Sequence, residues 1–271
     1  MVTTRQIVRP PVNMSLYVTS VCNLACSECI MQHAMRAAPR YQMQLTELNH
    51  LLASSEAAGY RFNFVLTGGE PLIWTHLLAG LASLRGSEVT NSIVMFTNGM
   101  FPDRLTPAVV NMLDAIRISH YFYNTEHMEL LKQRYPDKVQ IVERTGFWKN
   151  PEDALPADVA LPVECMNPEV MLYDNQVYAC PHNLSIAQHC GSQVTLSVPV
   201  SRVNFMAELP TIKHADAHAR EICTRCISNA KVRRVSEKTL NVSHGREDLT
   251  RYGINPNFHA AEHGLTVPEG L

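Results

Sequence analysis

From Met14 to about Leu161 the chain alternates short apolar runs with longer stretches in which apolar residues recur every three or four places. The runs at residues 15–19, 62–67, 92–97, 115–120 and 138–142 are mostly rich in Val, Ile, Leu and Phe, which predicts strands. Runs of this kind suit strands covered on both faces, as in a parallel sheet. Thr46 before ELNHLLASSEAAG, Thr75 before HLLAGLASL and Thr106 before Pro107 predict helix starts, Gly59 a stop, and Asn124 or Thr125 a further start. Repeated strand-helix order predicts right-handed βαβ units in an α/β fold, a parallel sheet or partial barrel with its functional loops at the C-terminal strand ends.

Near Asn150 the pattern changes. KNPEDALPADVALPVE is rich in Pro and acidic residues and predicts a linker or a loose last barrel segment. VMLY-DNQ-VYAC then predicts a β-hairpin turning at Asp-Asn, and residues 211–222 a helix ending at Cys223. From about Lys231 to Leu271 the sequence is polar with Gly, Pro and Asn. The expected division is 1–162, 163–230 and a tail, 231–271.

A length of 271 residues allows a sizeable core, and a net charge of -2 with 18% charged residues gives no sign of a nucleic-acid-binding surface. No apolar run is long enough to span a membrane and the start lacks a signal-peptide core, so the cytoplasm is the default compartment, with no membrane partner. In a reducing compartment the 8 cysteines are better read as metal or redox ligands than as disulfides.

Cys22, Cys26 and Cys29 have the spacing C-x3-C-x2-C directly after the first predicted strand. Three thiolates in so short a loop can converge on three irons of a cubane and leave the fourth without a protein ligand. The amino and carboxylate groups of a methionine suit that open position. A zinc site is the alternative, with His33 as the nearest candidate fourth ligand. After the second strand comes Gly68-Gly69-Glu70-Pro71, where two glycines permit close backbone approach and a carboxylate can accept from an ammonium group. Alone it would be an ordinary strand-to-helix turn; one βα unit beyond the cysteine loop, it is specific.

CNLACSEC, LTGGEP and FTNG, after strands one, two and three, together resemble the radical SAM (S-adenosylmethionine) superfamily over roughly residues 14–160. The resemblance implies a partial (β/α)6 TIM-type barrel and a 4Fe-4S cluster on Cys22, Cys26 and Cys29. It also implies SAM on the unique iron, cleaved by one electron to methionine and a 5'-deoxyadenosyl radical that abstracts hydrogen from substrate. It places Gly68, Gly69 and Glu70 at the methionyl amino group, and Thr97, Asn98 and Ser119 at the ribose or carboxylate of SAM. Glu28 departs from the pattern, since an aromatic residue usually precedes the third cysteine.

Cys165, Cys180, Cys223 and Cys226 follow the barrel region, with the predicted hairpin between the first two and a C-x2-C at the end. They resemble the twitch domain, a short relative of the SPASM domain in which a hairpin and a helix hold one auxiliary 4Fe-4S cluster. A four-cysteine zinc site is the alternative. Cys190 is left over. His120 and Tyr121 at a strand end, and His182, are candidates for substrate acid, base or donor, or else for packing.

The function this implies is radical chemistry on a small polar metabolite, such as an aminosugar, nucleoside or natural-product precursor, giving oxidation, epimerisation or rearrangement with the auxiliary cluster accepting an electron. A flavodoxin or ferredoxin is the reductant expected by analogy. The alternatives are a peptide maturase, disfavoured because about thirteen residues precede strand one where a leader-binding module is expected, and a non-catalytic iron-sulfur electron carrier, which would have little use for the GGEP and TNG loops.

Overall fold

The computed structural model describes residues 10–24, 40–120, 124–143, 169–181, 184, 197–201 and 206. Cys26, Cys29, Tyr121, Cys165, His182, Cys190, Cys223 and Cys226 lie outside these, as do the predicted linker, the helix at 211–222 and the tail.

Along the chain run β1 (Val12–Thr19), α1 (Leu45–Ala57), β2 (Phe62–Gly68), α2 (Leu77–Arg85), β3 (Thr90–Thr97), α3 (Pro107–Asn111), β4 (Ala115–His120), α4 (Thr125–Arg134), β5 (Val139–Glu143), β6 (Val170–Tyr173), β7 (Gln176–Tyr178) and β8 (Ser197–Pro199). They form one eight-stranded sheet in the order β5-β4-β3-β2-β1-β6-β7-β8. Strands β1 to β5 are parallel to their neighbours and each joins on the same side of its predecessor. That single winding direction is what successive right-handed crossovers produce, and it is the strand order of a partial TIM-type barrel.

A sixth parallel strand, β6, lies beside β1, with Met14 level with Val170 and Leu16 with Leu172. The predicted hairpin therefore extends the barrel sheet itself. Asp174 and Asn175, at φ 49° and 55°, make its turn. Two central residues in the left-handed region define the type I′ geometry that matches strand twist, and Asp and Asn tolerate it best after glycine.

Helices α1 to α4 pack on one face of the sheet. Leu48 and Leu51 of α1, Leu81 of α2, Val109 of α3 and Leu131 of α4 share a single core with Leu16, Phe64, Met95 and Ile118 of the strands. The intervening strand residues point the other way, and β2 and β3 alternate between buried and half-exposed positions. The expectation of strands covered on both faces therefore holds for β1, buried throughout from Met14 to Thr19, and not for β2 and β3. The second face carries Asn13, Asn63 and Ser92, joined by side-chain hydrogen bonds, and it lines the inside of the partial barrel.

Thr106 caps α3 as expected, its Oγ1 accepting from Val109 N at 3.4 Å. Asn124 stands before α4 as expected, whereas two starts differ. Gln44, extended and without a side-chain cap, precedes α1, so Thr46 falls inside the helix, and His76 rather than Thr75 precedes α2. No helix among the described residues is long and apolar enough to cross a membrane.

Candidate active site

The C-terminal ends of β1 to β4 lie side by side, and the residues read there as functional are joined by one hydrogen-bond network. Glu70 is its hub. Its Oε1 accepts from Leu72 N at 3.0 Å and from Thr97 Oγ1 at 2.7 Å, while Oε2 accepts from Asn98 N at 2.8 Å. The residue is 1% exposed, and that burial pushes its carboxyl up to about 7 against the three donors, which pull it down.

Asn98 continues the network. Its Nδ2 donates to Asn23 Oδ1 at 2.8 Å, and its Oδ1 accepts from Met100 N at 3.0 Å. Asn124 Nδ2 donates to both Asn98 O and Ser119 O at 2.7 Å, so the residue at the N-cap position of α4 uses its side chain to join the ends of β3 and β4 rather than to cap the helix. Asn23, between two cysteines, was missed by sequence reasoning.

The glycines have a more specific use than close approach to a ligand. Gly69 N donates to Thr19 O at 2.6 Å and Glu70 N to Val21 O at 2.8 Å, so the loop after β2 lies against the backbone leading into Cys22. A Cβ on Gly68 would stand 2.4 Å from Thr19 O, and one on Gly69 2.1 Å from Val21 O. Gly68 also has φ +138°, a region that effectively only glycine enters.

Both ends of the segment carrying Cys26 and Cys29 are fixed. Ser20 N donates to Tyr41 O at 3.0 Å, Tyr41 N to Ser20 Oγ at 2.8 Å and Met43 N to Val18 O at 2.9 Å. Cys22 itself is half-buried, with its Sγ accepting from Leu24 N at 3.4 Å. It also packs at the edge of a cluster formed by Tyr17, Met171, Tyr178 and Leu184. Cys180, half-buried, lies two residues beyond Tyr178, so this cluster connects the cysteine loop to the hairpin.

Tyrosines dominate that junction. The Tyr41 and Tyr173 ring centroids are 4.4 Å apart and those of Tyr17 and Tyr173 5.2 Å. Tyr41 donates its hydroxyl to Glu47 Oε2 at 2.6 Å, while Glu47 Oε1 accepts from Asn175 N in the hairpin turn at 2.8 Å. Burial raises the Glu47 carboxyl above the usual carboxylate range, and burial followed by the adjacent Glu47 raises the Tyr41 phenol. Helical periodicity gives no hint that an acid in the first turn of α1 is 4% exposed and holds a distant hairpin.

His120 ends β4 with Nε2 3.1 Å from Thr125 Oγ1, which places it in the β4–α4 turn. Among the expected site residues within the described segments, Cys22, Gly68, Gly69, Glu70, Thr97, Asn98 and Ser119 thus meet at one rim. The chemistry of the donor set fits an iron-sulfur cluster: a half-buried thiol stands at that rim, and two more occur within the next seven residues of the sequence.

A family model described as a 4Fe-4S single cluster domain matches residues 10–142. Molybdenum cofactor biosynthesis protein 1 of Mus musculus is 31% identical over 138 residues, 50% of this chain and 20% of that protein. GTP 3',8-cyclase of Chlorobaculum tepidum is 30% identical over 103 residues, 38% of this chain and 30% of that one. The chain thus spans well under half the length of the curated relatives it matches. Among solved structures, BtrN in complex with AdoMet and 2-DOIA superposes with a TM-score of 0.55 over 87% of this chain and 100% of the other, at 11% identity, a likeness of fold alone.

These matches, with the cysteine spacing and the partial barrel, make the chain similar to the radical SAM superfamily over its first half. Its relatives there are enzymes, and the chain is read as an enzyme of that class.

Proposed function

We propose that the protein cleaves SAM reductively and removes a hydrogen atom from a small polar metabolite, an aminosugar, nucleoside or natural-product precursor. Cys22, Cys26 and Cys29 would hold the catalytic cluster, and Cys165, Cys180, Cys223 and Cys226 a second one that takes an electron from the substrate radical. When bound, the cluster and SAM supply a 5'-deoxyadenosyl radical, with methionine leaving as the sulfonium accepts one electron.

The observation that carries this reading is the network around Glu70. Its carboxylate already receives three donors from the protein, so its part is to hold the loops after β2 and β3 in fixed relation to Asn23 and Cys22. The backbone of Gly68 and Gly69 is then the surface offered to the methionyl ammonium, and Thr97, Asn98 and Ser119 form the adjoining rim. An electron carrier has no need of such a rim. The name of one curated relative, GTP 3',8-cyclase, favours a small molecule, and a protein of like fold was crystallised with 2-DOIA. A flavodoxin or ferredoxin would supply the electron in the cytoplasm.

The test is anaerobic incubation of the reconstituted protein with dithionite and SAM. Release of 5'-deoxyadenosine and methionine is expected. Absence of both, with iron and sulfide fully incorporated, would overturn the reading.

A further inference from the structure

Arg117 lies in the middle of β4 between Ile116 and Ile118, which are both buried in the core beneath the helices. Strand alternation therefore turns its side chain onto the opposite face, inside the partial barrel. Register lines up Phe96 with Arg117 and Arg117 with Gln140, and farther along the sheet Tyr17 with Thr67. Leu66 opposite Met95 sets Thr67 level with Phe96, so these residues form one layer across five strands.

Two contacts orient the guanidinium. Its Cζ lies 5.4 Å from the Phe96 ring centroid, and Nε donates to Gln140 Oε1 at 3.2 Å. Among the described residues no carboxylate pairs with Arg117, and neither of its Nη atoms donates a hydrogen bond. Glu169 on β1's other flank receives the Ser15 hydroxyl instead. The result, among the described residues, is a half-buried guanidinium fork with its plane oriented and its outer edge unused. Removing a cation partly from water without a partner is unfavourable, whereas a planar fork matches the two oxygens of a carboxylate or phosphate.

Arg117 is two residues closer to the strand N-terminus than Ser119, about 6–7 Å deeper at the usual strand rise. The rim assigned to SAM is therefore above it. We infer that Arg117, oriented by Phe96 and Gln140, binds an oxyanion of the substrate, a carboxylate or phosphate, on the inner face of the barrel in the layer below the rim. The assignment to substrate rather than cofactor rests on the function proposed above.

The reconstituted full-length protein, saturated with SAM under anaerobic conditions in chloride-free buffer, is titrated calorimetrically with inorganic phosphate and separately with acetate. At least one anion should bind, and Arg117→Gln should weaken it about tenfold or more, with Arg117→Lys intermediate because charge remains without the fork. Preference for phosphate points to a phosphorylated substrate, preference for acetate to a carboxylic acid. SAM affinity should stay within about twofold of wild type in both variants, with circular dichroism melting unchanged. Equal anion affinity in wild type and Arg117→Gln overturns the inference, and so does loss of SAM affinity in place of anion affinity. Because anion binding needs no turnover, it is read even if no 5'-deoxyadenosine forms.

Discussion

Asn98 Nδ2 donates to Asn23 Oδ1 across 2.8 Å, joining the loop after β3 directly to the residue that follows Cys22. Both residues are buried, so neither amide can exchange its partner freely for water. The bond lets the position of the cysteine loop depend on the loop read as contacting SAM.

Asn98→Ala and Asn23→Ala should each lower stability by about 1–3 kcal/mol, because each leaves a buried amide group unpaired. Their effects should not add. A double-mutant cycle on urea midpoints should give a coupling of about 1 kcal/mol, whereas additive losses would show that the two loops are positioned independently.

Gly69→Ala should be far more harmful than Gly59→Ala. The new methyl at Gly69 meets Val21 O at 2.1 Å, whereas Gly59, with φ +70°, has nothing within 4 Å of its Cβ position. The second change carries only the left-handed backbone penalty of about 1 kcal/mol; the first must move backbone beside Cys22. Iron content after reconstitution is the measurement, and it should fall in Gly69→Ala while remaining at the wild-type level in Gly59→Ala.

Glu70 makes stability depend on pH in a direction opposite to that of a salt-bridged acid. Burial pushes its carboxyl up to about 7 in the fold, from its ordinary 4.5 in the unfolded chain. Between those values the native state binds more protons, so stability from this group is fully present below about 4.5 and is lost as pH rises through 7. Urea midpoints at several pH values across that window should decline in wild type, and the decline should be shallower in Glu70→Gln. The glutamine also turns an NH2 group toward one of the Leu72, Thr97 and Asn98 donors, a loss of about 1–3 kcal/mol at the acid end.

The strands were legible because their Val, Ile, Leu and Phe runs are short and bounded by turn residues. Ala115–His120 has the predicted bounds, while β1 and β3 begin two or three residues earlier, at polar positions such as Asn13 and Asn91, which both bond to Asn63 between them. Cys22, Gly68, Gly69 and Glu70 were legible from local spacing. Asn23, Tyr41 and Glu47 were not, because their partners are 75, 6 and 128 positions away, and sequence spacing carries no information about which distant loop will cover a polar side chain. Arg117 was hidden likewise: its orientation follows from strand parity, but that no described acid pairs with it follows only from the packed sheet.

The Tyr41–Glu47–Asn175 chain links α1, the returning cysteine segment and the hairpin turn. Tyr41→Phe leaves Glu47 Oε2 without its 2.6 Å donor, in a site that already disfavours the charged carboxylate. Hydrogen exchange at the Asn175 amide should accelerate about fivefold to a hundredfold, the range expected for about 1–3 kcal/mol of local stability. Unchanged exchange would show that the hairpin is held by its strand pairing with β1 alone.

The two cysteine sets should fail differently. Cys22→Ala removes a thiolate from the set of three, leaving too few ligands for a cluster with one open iron. It should lose one cluster's iron and all SAM cleavage. Cys223→Ala removes a thiolate from the other set while leaving Cys22 and the Glu70 network intact, so 5'-deoxyadenosine should still form in part. Turnover should nevertheless cease, because a substrate carbon radical beside oxygen or nitrogen is a strong reductant that completes oxidation only by giving its electron to an acceptor within tunnelling reach. Iron analysis, 5'-deoxyadenosine release and substrate consumption, measured on the same preparations, separate the two roles. Full turnover by Cys223→Ala would remove the electron-acceptor role from the second set and leave it a structural one.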